Sequence, residues 1–228
     1  DRLAGGSSTG SAIAVASGLC PVALGSDGGG SVRIPSCFNG LFGIKPTFGR
    51  ISRHGDGFGG TMDHLGPLGA STRDLAIFLE AVSGADPGDE LTRGTPTVAP
   101  GDLTAAVGRG VEGLRIGVLH AEMSVADASV QEACREALAA LEKDGAVLVD
   151  VDLPLAKHAP GIGYLTIGIE TYAALLDARR DHWSEMGPDL QLLMRLVSTF
   201  ESGDYLDAQA LRATLSSQSA DLLREVDV

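Results

Sequence analysis

The sequence predicts an α/β fold, and three observations carry that expectation. Of the 228 residues, 44% are hydrophobic, enough to fill a sizeable core. Short apolar runs of strand length (VALG, LFGI, LRIGVL, AVLVDVDL) alternate with stretches of helical period. Glycine- and serine-rich turns separate them, and the strand–helix–strand order implies a mainly parallel or mixed sheet covered by helices on both faces.

Each element has its own signal. Ser11 to Gly18 is a run of small residues with Ile13, Val15 and Ala16, read as a short buried helix that Ser7 to Thr9 can cap and Gly18 can end. After Pro21, VALG is an interior strand leading into Ser26-Asp27-Gly28-Gly29-Gly30-Ser31, and a second short helix over 32–38 follows. LFGI is a strand, and 49–69 is read as one long glycine-rich loop. Ser71 to Asp74 opens an amphipathic helix carrying Leu75, Ile77, Phe78, Leu79 and Val82. A Pro-, Gly- and Asp-rich linker runs to Gly113. LRIGVL is the next strand, and DASVQEACREALAALEKDG a helix with Val130, Cys134, Ala137, Leu138 and Leu141 on one face. AVLVDVDL is a strand again. Residues 161–226 are expected to form two or three helices, broken near Gly187-Pro188 and Gly203.

Charge and cysteine usage narrow the function classes. Thirty acidic against seventeen basic residues give a net charge of −13 with no basic stripe, which argues against nucleic acid and anionic membranes as partners. The longest apolar run, Ala12 to Leu24, is interrupted by Gly18 and Pro21 and is too short to span a bilayer. Three cysteines, Cys20, Cys37 and Cys134, show no metal spacing and fit reduced thiols in a cytoplasmic protein. The chain starts at Asp1 rather than Met and ends in REVDV, the opening of an apolar strand, so it is expected to be the interior of a longer protein.

The chemistry is concentrated in two glycine–serine clusters, at the two ends of GGSSTGSAIAVASGLCPVALGSDGGGS. A helix of about ten residues travels about 15 Å, and a strand of about six returns about 20 Å. If the two run antiparallel, the loops meet and Ser7 or Ser8 comes beside Ser31. Successive glycines before Ser31 leave backbone N–H groups unobstructed, so a nest for an oxyanion can sit next to a nucleophile. Such a pair suits acyl transfer, which still needs a base.

The stretch GGSSTGSAIAVASGLCPVALGSDGGGSVRIPSCFNGLFGIKPTFGR resembles the amidase signature family of serine hydrolases, closely over Gly5 to Arg50. The family is marked by a GGSSGGS element, a D-x-GGS-x-R-x-P element and G-x-K-P-T; SRHG…MDHLGPLGASTRD…DP and the LRIGV strand and helix are similar to its continuation. The resemblance implies that Ser31 is the nucleophile and Ser7, after a cis Gly6–Ser7 bond, the bridging serine. It implies an oxyanion hole from the N–H groups of Gly28, Gly29, Gly30 and Ser31, with Ser8, Asp27 and Arg33 in support. The family's base is a lysine upstream of the first cluster. This chain has only Lys45, Lys143 and Lys157, and Lys45 matches G-x-K-P-T, so the base is expected before Asp1.

The expected fold is therefore one amidase-type domain over 1–228, truncated at both ends: a serine-loop core (1–84), a linker loop (85–113) and a βαβ and helical remainder (114–228). The expected reaction is hydrolysis of a linear amide through a serine acyl-enzyme, without metal or organic cofactor. The partner is a small-molecule amide substrate, and homodimer formation is left open. Two alternatives stand beside this: the amidase-like subunit of a glutamine-dependent tRNA amidotransferase, whose GGSIRQP differs here at Ile34, and a non-catalytic member without the base. Gly6-Ser7-Ser8-Thr9-Gly10 also fits G-x-S-x-G, with Ser8 as nucleophile, but no buried strand precedes it. Gly55, Gly57 and Gly60 mimic a dinucleotide fingerprint without its strand and helix, and are read instead as lining the substrate entrance. His54, His64, His120, His158 and His182 stand singly and are read as structural or solvated. Tyr164, Ile167, Ile169, Tyr172 and Leu175, at helical spacing, are read as core.

Overall fold

A computed structural model of the chain describes residues 2–56 and 60–228. It divides into two compact units, one of residues 1–108 and 164–200, the other of residues 109–163 and 201–228. The fold is α/β in both.

In the first unit, α1 (Thr9–Ala16) leads into β1 (Val22–Ser26), then α2 (Arg33–Phe38), β2 (Phe42–Gly43), β3 (Leu65–Gly69) and α3 (Thr72–Val82). Gly18, at φ +72°, ends the first helix and sends the chain back into β1. The three strands form an antiparallel sheet in the order β1-β3-β2, with Leu24 opposite Pro67 and Phe42 opposite Gly69. Helices α1, α2 and α3 pack against this sheet. Ala12, Val32 and Leu68, all fully buried, make the core cluster with Leu41 beside it.

Strand β3 corrects the expectation of a loop through Gly69. Its sequence, LGPLG, has a proline and two glycines, each a poor strand former, yet it is the central strand. Pro67 is tolerated because the ladder to β2 covers only Leu68 and Gly69; past it, the Pro67 carbonyl accepts the Ile44 N–H at 3.1 Å. Helix α3 follows its sequence signal: Ser71 Oγ accepts the Asp74 N–H, and Leu75, Ala76 and Leu79 are buried. The linker is pinned to this unit, since Glu80 Oε1 accepts the N–H groups of Leu103 and Thr104.

The second unit holds β4 (Arg115–Val118), α4 (His120–Met123), α5 (Ala128–Lys143) and β5 (Val147–Asp150). The two strands are parallel, Arg115 opposite Val147. Residues 226–228 run beside β4, where Val226 is buried and Asp227 forms a two-pronged pair with Arg115. The apolar face expected on α5 is only partly covered: Leu138 and Leu141 are half-buried, while Val130 and Cys134 are exposed.

Four helices follow, α6 (Ala159–Ala174), α7 (Leu176–Asp181), α8 (Pro188–Val197) and α9 (Ser202–Leu222), against the two or three expected. From Tyr164 onward α6 belongs to the first unit, as do α7 and α8. Gly187-Pro188 opens α8 as expected, with Pro in the first turn. The second break falls at 198–201 rather than at Gly203, because Asp204 accepts the Glu201 N–H and starts α9 one residue earlier. Among the described residues, no helix is long and apolar enough to cross a membrane.

Leu68 lies at the centre of the sheet with no exposed surface. Leu68→Ala is expected to destabilise the protein by about 2–5 kcal/mol, read as a lowered urea midpoint at unchanged slope.

Candidate active site

The α1–β1 excursion brings the two serine clusters together. The Ser8 N–H donates to the Ser31 carbonyl at 3.1 Å, directly joining the loops. Ser8 is among the residues expected to cap α1, but its hydroxyl makes no cap. It instead donates to the Ser26 carbonyl and accepts the Ser26 N–H, each at 3.2 Å. That contact requires Gly25: a Cβ there would stand 2.5 Å from Ser8 Oγ. The Gly6–Ser7 peptide bond is cis.

Asp27 organises the second loop. Its side chain is fully buried, and its carboxylate accepts the N–H groups of Gly30 (2.7 Å), Val32 (3.1 Å) and Arg33 (3.3 Å). The Arg33 guanidinium completes it with a two-pronged pair, Nε to Oδ2 at 3.0 Å and Nη2 to Oδ1 at 2.9 Å. Burial alone would push this carboxyl up, but the Arg33 and backbone donors outweigh it and hold it at about 2. The backbone of Asp27 is tied to His64 in both directions.

This arrangement corrects the expected donor set at one position. The Gly30 N–H is bound to Asp27, and Gly30, at φ +115°, does not line the cavity described below. Among the described residues, no hydrogen bond engages the N–H groups of Gly28, Gly29 or Ser31. Three donors, not four, are open at the turn.

Ser7 and Ser31, with Gly6, Ser26, Gly28 and Gly29, line one cavity of about 270 Å³. The rest of its wall comes from residues that the sequence motifs do not assign to a site: Ile34, then Met62 and Asp63, then Tyr164, Ile167, Glu170 and Thr171 on α6. The helical spacing of Tyr164 and Ile167 points to core, yet a Cβ built on Gly29 would lie 3.2 Å from Ile167 Cδ1 and 3.4 Å from Tyr164 Cε1. They stand over the glycine turn. Glu170 holds the neighbouring loop, accepting the Thr61 N–H at 2.9 Å and its hydroxyl at 2.6 Å.

Other expected or rival groups lie outside this cavity. Lys45 donates to the Pro46 carbonyl at 3.2 Å, and burial, with the nearby Arg33 charge, lowers its pKa. Among the described residues, no histidine lines the cavity; His54 and His64 are engaged with backbone carbonyls, and His120 and His182 with surface carboxylates. Gly55 lines a separate depression with Arg53, His54 and Asp89, and Gly57 lies outside the described residues. Among the described residues, no three His, Cys, Asp or Glu side chains gather where they could hold a metal ion.

Fold and site together are those of α/β proteins that set a serine beside a turn of open backbone donors. The Amidase family model matches residues 1–228, so the chain belongs to the amidase family. It is 34% identical over 254 aligned residues to a glutamyl-tRNA(Gln) amidotransferase subunit of Chloroflexus aggregans, covering 100% of this chain and 51% of that protein. Among solved structures, a bacterial aryl acylamidase of the amidase signature family superposes with a TM-score of 0.82 at 28% identity, over 98% of this chain and 48% of that one. Another, from work on a vestigial protein complex and the evolutionary origins of an s-triazine catabolic enzyme, gives 0.87 at 32%, over 99% and 48%. The chain thus spans about half the length of these relatives.

One group in the cavity wall carries a pH signature. Burial, then the hydrogen bond and charge of Asp56, push the Asp63 carboxyl up to about 6, against the pull of Arg53 and the His64 N–H. Between about pH 4 and 6 the folded state therefore keeps a proton that the unfolded chain has lost, and stability falls as pH rises through that window. Relative to wild type, Asp63→Asn is expected to gain melting temperature steadily from pH 4 to 7; a difference that does not change with pH would contradict this.

Proposed function

We propose that the protein is an amide hydrolase acting on linear carboxamides, R–CO–NH₂ or R–CO–NHR′, through a serine acyl-enzyme. The observation that carries this reading is the shared cavity of Ser7 and Ser31 beside the three open N–H groups. Family membership supports it, as does the likeness to a solved aryl acylamidase.

In this reading Ser31 Oγ attacks the amide carbonyl carbon while the carbonyl oxygen becomes an oxyanion held by the N–H groups of Gly28, Gly29 and Ser31. The Ser31 proton passes through Ser7 to a lysine base. Lys45 does not line the cavity and is not given that role. Collapse of the tetrahedral adduct breaks the C–N bond, and the same proton goes to the leaving amine. Water then adds to the acyl-enzyme, gives its proton back along the same path, and releases the carboxylate. Asp27, Arg33 and Ser8 act by holding the loops.

One observation favours a second reading: curated relatives carry the name of a glutamyl-tRNA(Gln) amidotransferase subunit. Under it the same site would hydrolyse glutamine and pass ammonia to a partner protein. Ile34 stands against it, since an apolar side chain there lines the cavity where that subunit's motif has glutamine.

Labelling the full-length protein with a fluorophosphonate is expected to add mass only to the peptide holding Ser31; an adduct elsewhere overturns the assignment. Ser31→Ala should lower kcat at least about 10³-fold, and Ser7→Ala about 10²–10⁴-fold. Isolation of the protein in a stable complex with companion subunits, with glutaminase activity, would favour the second reading.

A further inference from the structure

The cavity shared by Ser31 and the open donors offers the substrate's acyl group a place. With a carbonyl carbon bonded to Ser31 Oγ and its oxygen facing the Gly28 and Gly29 N–H groups, the acyl substituent can extend into the cavity they share. The walls nearest that turn are apolar. Ile167 Cδ1 comes within 3.2 Å of the Cβ position of Gly29 and 3.5 Å of that of Gly28, and the Tyr164 ring lies beside it. Ile34 packs against Gly30, its Cδ1 2.6 Å from where a Cβ would stand, so a side chain there would displace it. Tyr164 is 62% exposed, a large aromatic surface left open at the cavity mouth.

The charges of the wall have one sign. Asp63 and Glu170 are its only charged residues among those described, and no Arg or Lys lines it. Arg53 lies close by, but its guanidinium donates to the carbonyls of Asp63 and Gly60. Glu170 is fixed in place by Thr61, so its carboxylate stays at the wall. A substrate carboxylate brought into this cavity would meet two like charges, with Arg53 nearby but not part of the wall.

Building on the amide-hydrolase reading, we propose that Tyr164 and Ile167 on α6, with Ile34 and Met62, are the specificity wall for an apolar, uncharged acyl group, and that Asp63 and Glu170 reject acyl groups bearing a carboxylate. The preferred substrates are then small carboxamides such as benzamide, rather than amides of dicarboxylic acids or glutamine.

The test compares kcat/KM for benzamide, acetamide and succinamate in the full-length protein, with a methyl fluorophosphonate used in parallel to label Ser31. Benzamide should exceed succinamate by about 10²-fold or more. The benzamide-to-acetamide ratio should fall about tenfold in Ile167→Ala and in Tyr164→Ala, while the preference over succinamate narrows several-fold in Glu170→Gln. If Ser31 is labelled in wild type and variants but these ratios do not move, or if succinamate is preferred, the wall assignment is overturned and the nucleophile stands. If Ser31 is not labelled in the wild type, the hydrolase reading falls and this one with it.

Discussion

The site rests on the buried carboxylate of Asp27. A fully enclosed charge is costly unless every lone pair is occupied, and here three backbone N–H groups and a two-pronged guanidinium occupy them. That demand fixes the turn from Gly28 to Arg33 in one conformation. The same set of bonds decides which N–H groups remain open: Gly30, Val32 and Arg33 donate to Asp27, while those of Gly28, Gly29 and Ser31 make no hydrogen bond among the described residues. Arg33 is half exposed, so the pair gives the turn its shape more than a large share of the protein's stability.

Ser8 sets the second constraint. Its N–H reaches Ser31 and its hydroxyl closes on both polar groups of Ser26, so the first serine loop is clamped to the start and the end of the second. Gly25 is the residue that permits the approach. The cavity between the clusters is therefore bounded by backbone held from two sides, with α6 and the loop at Met62 and Asp63 as its far wall. Preorganisation of this kind is what an oxyanion site needs, because donors already fixed do not have to reorient as charge develops.

Much of this was legible in the sequence because the signals are local. The helix-out, strand-back segment, the glycine turn and the βαβ pattern each follow from composition within a few residues, and the structure has them as α1, β1, β4, α5 and β5. Strand β3 was not legible, since LGPLG is held by pairing on both sides rather than by its own propensity. Gly30 is indistinguishable from its neighbours in sequence, and only the Asp27 carboxylate, by claiming its N–H, sets it apart. Tyr164 and Ile167 give the apolar and helical signal of ordinary core, and only the tertiary fold carries them, with Glu170, over a turn more than 130 residues earlier in the chain.

The central claim is that Asp27 orders the turn that presents Ser31 and its donors to one carbonyl. The direct measurement is the second-order rate of fluorophosphonate labelling at Ser31 in Asp27→Asn, with folding checked by circular dichroism. The amide replaces one accepting oxygen with a donor facing Gly30 or Arg33, so a fall of about 10²-fold or more is predicted in a folded protein. A folded Asp27→Asn variant labelled at the wild-type rate would contradict it.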